Sequence, residues 1–305
     1  MALKLEVVPQ KAIVVRRDKA TVAASWFGPH APRPYVYPFL GPDDREVTSL
    51  FHPDDPVGHS HHRSLWIAHH DVNGVSFWEE SKTSGRIEQT DASVLVAEGD
   101  LVSVRLECEW RAPDGKLLLN EKRTLTFLEL GRGELALEID TTLSPVPQEK
   151  GGTVTLGDTP FGLLGIRVPR TMRVADGLGG LILNSQEAEN EKGCFWQHAE
   201  WCDFSGPVPL SGDPKQPQPA GQLPASIVGI ACFDHPDNTP GDTIWHVRDD
   251  GWMGPCISKG EPRRLAAGDT LRARYRIEAH AGRAGDANIN ERYRAWRRKG
   301  QPQAK

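Results

Sequence analysis

Eleven histidines occur in the chain, and six fall between His52 and His70, in the run FHPDDPVGHSHHRSLWIAHHDVNGVSFWEE. Imidazole titrates near neutrality, binds transition metals and shuttles protons, so this crowding points to chemistry. His59-Ser60-His61-His62-Arg63 and His69-His70-Asp71 flank the apolar stretch Leu65-Trp66-Ile67-Ala68, which reads as a strand bracketed by polar groups. On an extended backbone His61 and His69 share one face and His62 and His70 the other, so no single strand face presents them all.

Three roles compete for the cluster. As acid/base groups, His61, His62 or His69 could move a proton at a carbonyl or hemiacetal, with Arg63 holding developing negative charge and Glu79 or Asp158 as partner carboxylate. As metal ligands, His59 and His61 have the i, i+2 spacing that chelates a divalent, copper or iron ion, with His69 or Glu79 as the third ligand. The carboxylate that follows HxH in common β-barrel metal sites is absent. The third role is structural, with imidazoles bonding loop backbone around a tight turn. That reading suits His52 and His30, which adjoin prolines; His61, His62 and His69 suit function better.

A second theme is aromatic. Trp66, Trp78, Trp196, Trp201, Trp245 and Trp252 lie near histidine, charge or glycine, as in a site that stacks flat apolar faces on sugar rings. Core packing explains any one of them equally well, and Trp26 and Trp110 sit inside strand patterns. Asp158 falls on a turn and Arg167 near a strand end, either as rim groups or as solvated charges. His235 ends the strand pattern of Cys232-Phe233-Asp234-His235-Pro236, while His246 and Arg248, two apart, point to one face of theirs. The expectation is spatial: His61, His62, Arg63 and His69 face a concavity that also receives at least two of Asp158, Arg167, Trp201, His235, His246 and Arg248.

Positioning these groups falls to strands. Short alternating or β-branched runs recur between Gly, Pro, Asn and Asp clusters, at Ala12–Val15, Thr21–Phe27, Ser93–Val96, Val102–Trp110, Leu117–Phe127 and Leu135–Leu143. Later runs are Thr153–Leu156, Gly162–Val168, Gly180–Leu183, Ile227–Phe233, Thr243–Arg248 and Leu271–His280. Asp114-Gly115 supplies the positive φ of a tight hairpin turn. A helix is predicted over 286–299, N-capped by Asp286, with Ile289, Tyr293 and Trp296 on one face and basic residues in its last turn. Residues 206–224 hold six prolines and read as a surface loop. The predicted fold is all-β, one large antiparallel β-sandwich over 1–305 with a C-terminal helix; two β subdomains are the alternative.

With 305 residues, 38% hydrophobic and 25% charged, the chain can bury a sizeable core, and a net charge of −5 with scattered Lys and Arg argues against nucleic acid or an anionic membrane. Charges at Lys4, Glu6 and Lys11 and the break at Pro9 interrupt any leader or spanning run, so a soluble cytoplasmic protein is expected. Five cysteines without a CxxC pair read as free thiols in a reducing compartment. A small-molecule partner fits this profile, and the oligomeric state is left open.

Arg33-Pro34-Tyr35, the HHR, LW, AH and DVNG elements of His59–Trp78, and the segments Asp158–Arg167, Gly229–Pro236 and Trp245–Arg248 carry a resemblance. From about residue 30 to the C-terminal helix the chain resembles the bacterial family known as methane oxygenase PmoA. It departs from the family pattern at Ser64, usually Gly, and at Ser60, usually Pro; neither change removes a candidate side chain. The resemblance implies a large sandwich similar to galactose mutarotase-like proteins, hence a carbohydrate substrate and a histidine acid with a carboxylate base. Motifs usual in mutarotases are absent. The family name implies instead a histidine-ligated metal and an oxygenase.

Overall fold

The computed structural model describes residues 2–28, 31–146, 152–210, 226–239, 241 and 243–298. Two large antiparallel sheets dominate it. The first has ten strands in the order His198–Ala199, Thr243–Arg248, Trp252–Cys256, Gly162–Arg167, Leu65–His69, Tyr35–Phe39, Ala20–Trp26, Ala12–Arg17, Leu3–Val8 and Glu98–Gly99. The second has eight, in the order Leu181–Asn184, Trp201–Val208, Ser226–Asp234, Leu271–Ala281, Glu134–Pro145, Leu117–Gly131, Leu101–Arg111 and Arg86–Val96. Their facing apolar residues form one core, which takes Ile13, Val15, Leu65 and Ile67 from the first sheet and Val104, Leu106, Phe127 and Ile277 from the second. This is the expected all-β sandwich.

Alternation sets which residues enter that core. Along Leu101–Arg111 the buried apolar positions are Val102, Val104, Leu106, Cys108 and Trp110, and the one off-pattern buried residue, Ser103, donates to Leu125 O at 3.3 Å. The neighbouring strand continues the inward face with Leu119, Glu121, Arg123, Leu125 and Phe127, so an ion pair lies inside the sandwich. Its polar atoms are satisfied: Glu121 accepts from Trp110 Nε1 at 2.8 Å, Arg123 Nε at 2.7 Å and Thr141 Oγ1 at 2.6 Å. Hydrogen bonding of this completeness is what makes a buried charge tolerable. The hairpin between these strands turns at Gly115, φ 84°, as the Asp-Gly pair requires.

Two local expectations need correction. Gly206–Val208 belongs to the strand Trp201–Val208, paired with Ser226–Val228, so the proline-rich loop cannot start before Pro209. Pro207 is tolerated because the other neighbour, Leu181–Asn184, ends its pairing at Ser205, making this stretch a sheet edge. Residues 211–224 lie outside the described residues. The C-terminal helix spans Ile289–Arg297 and is entered through Asn288, φ 55°, while Asp286 accepts from Arg283 N at 3.0 Å. Ile289, Tyr293 and Trp296 pack on Trp201, Ala231 and Phe233, on the sheet face away from the main core. All five cysteines are buried and free. Among the described residues no helix is long and apolar enough to cross a membrane.

Candidate active site

The histidine run does not continue the strand that follows it. Backbone bonds from His59 N to Asp55 O (3.1 Å), His62 N to His59 O (3.1 Å) and Phe51 N to His62 O (2.7 Å) fold residues 51–62 into a compact turn. Buried Arg33 secures it by donating to His61 O at 2.8 Å and Phe77 O at 3.0 Å. Ser64, at φ 62°, then redirects the chain into Leu65–His69. Strand periodicity therefore does not apply, and His61 and His62 come together with ring centroids 4.6 Å apart. His59 lies 5.0 Å from His62 and 5.8 Å from His61.

The strands on either side of Gly162–Arg167 in the first sheet supply Trp66 and Trp252 to an aromatic wall. His62 stacks on Trp66 (5.6 Å) and Trp252 (5.4 Å), and Trp78 packs against both indoles at 5.2 and 5.5 Å. Gly165 makes room for this: a Cβ there would fall 2.6 Å from the Trp66 ring and 2.9 Å from Trp78. On the other side His246 meets Phe161 at 5.2 Å and Trp252 at 5.8 Å. Together they enclose a cleft of about 370 Å³, lined also by His59, His61, His70, Glu79, Arg248 and Asp250. That is within the size range of small-ligand sites.

Burial fixes the protonation of these imidazoles. His61 is pushed down to about 4 by desolvation, with further lowering from the Arg33 guanidinium. His246 also falls to about 4, through desolvation and the charge of Arg248. His62 is lowered further still, by burial first and then by His61 and Arg167. At neutral pH all three are uncharged, each with one N–H donor and one basic nitrogen. Asp250 is held in place by hydrogen bonds. It accepts from Arg167 Nη1 at 3.1 Å, and its carbonyl accepts from Arg167 Nη2. His52 Nδ1 accepts from the Asp54 and Asp55 amides at 3.1 and 3.2 Å, so its proton is on Nε2 and faces Asp250 Oδ2 at 3.3 Å. Glu79 lies 3.5 Å from His70, and Arg248 lies 3.1 Å from Glu191.

Of the side chains named from sequence, His59, His61, His62, His70, Trp78, Glu79, His246, Arg248 and Trp252 line the cleft, and Arg167 supports it from behind through Asp250. The others lie elsewhere. Arg63 turns away to a two-bond pair with Glu80 (2.6 and 2.7 Å) beneath Tyr35. His69 is fully buried; it accepts from Asp71 N at 3.1 Å and donates through Nε2 to Ser258 Oγ at 2.8 Å. Asp158 accepts from Gly260 N and Lys259 Nζ on a separate turn. Trp201 packs under the C-terminal helix, and His235 lies against Trp296 and Arg274 on the second sheet.

His69 thus cannot complete a metal set with His59 and His61, since both its nitrogens are engaged. Among the described residues no three His, Cys, Asp or Glu side chains are gathered to hold a metal ion. Asp250 and Phe161 were not singled out from sequence as site residues. The signal for Asp250 was its place in Asp249-Asp250-Gly251, the turn that joins the His246 strand to the Trp252 strand. His52, His69 and His235 share a pattern too: each stands two residues before an aspartate and caps that aspartate's amide through Nδ1.

Residues 12–294 match DUF6807, described as a family of unknown function. The chain belongs to DUF6807. No methane-oxygenase name accompanies that match, so what stands is DUF6807 membership together with the β-sandwich. No curated protein matches the DUF6807 chain. Among solved structures it is similar to one described as "Crystal Structure Analysis of HI1317", at 8% identity and TM-score 0.28, covering 92% of this chain and 100% of that one. It is also similar to "Polysaccharide Lyase BACCELL_00875", at 11% identity and TM-score 0.31, covering 95% of this chain and 34% of that one.

Proposed function

We propose that this protein is a carbohydrate-directed enzyme that moves a proton by imidazole chemistry, of the epimerase, isomerase or lyase type. One observation carries the reading: three imidazoles held neutral by burial meet a fixed carboxylate, Asp250, in one aromatic-walled cleft. The apolar face of a sugar ring stacks on the wall of Trp78, Trp252 and Phe161. Asp250 and Glu79 accept from its hydroxyls. His61 is the least buried of the three neutral imidazoles and serves as the base, taking a proton from carbon or hydroxyl. His246 stays neutral, so its N–H can polarise a substrate oxygen, and Arg248 at the rim faces the charge that develops there.

The test is an NMR screen of aldoses, uronates and keto-sugars for anomeric exchange, isomerisation or elimination, with His61→Ala as control. Turnover of one class, lost in the variant, supports the reading. Unaltered turnover in His61→Ala removes His61 as base, and binding without product makes the protein a sugar-binding module instead.

A further inference from the structure

Of the nine tryptophans, Trp196 is the exposed one, with 36% of its surface open to solvent. Its backbone lies in the left-handed region at φ 59°, which is costly for a residue with a Cβ. Two bonds hold it there, from Trp196 N to Trp245 O at 2.9 Å and from Trp245 N to Gln197 O at 3.0 Å. Exposure and strain both work against folding, so their coincidence at one aromatic residue points to a ligand. The indole lies flat on His246, 5.1 Å between centroids and 17° between planes, and Phe195 is 4.5 Å away. His246 lines the cleft, so Trp196 and Phe195, both in ring contact with it, extend the aromatic cluster from the cleft to an exposed indole beside Arg248.

Two cations border this step, and each has a carboxylate. Arg248 lies over Phe195 and pairs with Glu191 at 3.1 Å; Lys259 lies 5.6 Å from the Trp196 centroid and pairs with Asp158 at 3.3 Å. The step is electrically balanced, which suits an uncharged ring better than a uronate. We infer that Trp196 and Phe195 form a second ring-stacking subsite, so that the substrate is a glycoside or oligosaccharide whose second, neutral pyranose ring lies outside the cleft. Lys259 is the neighbouring donor for that ring's hydroxyls, which gives Asp158 a positioning role. The inference rests on the carbohydrate reading above.

Calorimetric titration of the full chain tests it, with glucose, galactose and glucuronate set against cellobiose, maltose and lactose. At least one disaccharide is expected to bind about tenfold more tightly than its component hexoses. Trp196→Ala should erase that advantage while changing hexose affinity less than twofold, and Trp196→Phe should retain most of it. The inference is overturned if no disaccharide is preferred, or if Trp196→Ala leaves the preference intact. If hexoses bind without disaccharide preference, only the subsite fails; if no sugar binds, the carbohydrate reading fails with it.

Discussion

Replacing Arg167 by methionine removes the cation behind the cleft while keeping an apolar side chain of similar reach. Arg167 is fully buried, whereas its partner Asp250 keeps 38% of its side chain exposed. Breaking a buried ion pair costs about 3–5 kcal/mol when the surviving charge stays buried. In Arg167→Met the survivor is Asp250, which water reaches and His52 still contacts, so screening lowers the cost to about 2–3 kcal/mol. In Asp250→Asn the survivor is the guanidinium, enclosed and unable to shed its proton, so the full 3–5 kcal/mol applies. The two variants therefore rank, with Asp250→Asn the weaker. In the double variant neither charge remains, and about 1–3 kcal/mol should be recovered relative to the sum. Urea unfolding of the four proteins measures this, with Tm following by about 2–4 °C per kcal/mol. Additive losses, or an Arg167→Met protein less stable than Asp250→Asn, would refute the reasoning.

Other outcomes follow from the same network. If neutral His61 is the base, with its pKa lowered to about 4 by burial and Arg33, kcat/KM should stay flat from pH 8 to 5 and fall only below that; an acid limb centred on the ordinary histidine value contradicts it. Stability should fall with acid. His69 and His246 titrate at about 4 when folded but near 6.5 when unfolded, so the unfolded chain binds more protons in that window and each costs about 1.4 kcal/mol per pH unit below 6.5. Denaturant midpoints that are level from pH 6.5 to 5 would contradict this. Gly229→Ala would set a Cβ 2.2 Å from His280 Cε1 and push the ring off Asp203, which it meets at 2.7 Å in full burial; the expected loss is about 3 kcal/mol in urea, and a loss below about 1 kcal/mol would contradict the clash.

Much of the scaffold was legible because strand alternation is local. Val104–Trp110 and Leu119–Phe127 bury every second side chain, and Asp114-Gly115 dictates the turn between them. Trp201–Val208 and Tyr35–Phe39 escaped because their prolines argue against pairing, and only the sheet edge and neighbours make them acceptable. At the site, the sequence marked the histidine segment but not its shape. Extended geometry separates His61 from His62, whereas the turn anchored by Arg33 brings them together, and Arg33 is 28 residues away in the chain. His69 had the same local credentials as His61. What divides them is Ser258, distant in sequence, and a backbone cap on Asp71 that a His-x-Asp spacing can signal. Asp250 acquires its place only through Arg167 and His52.

The central claim is that neutral imidazoles in this cleft meet a sugar, and proton-detected NMR of the assigned histidine rings tests it most directly. The His61 and His246 resonances should show no titration between pH 5 and 8, because burial has pushed both groups down to about 4. A carbohydrate that binds should shift those rings while leaving His235, on the second sheet, unmoved. Titration of His61 near the ordinary histidine value, or indifference of both rings to every sugar in the panel, would contradict the account.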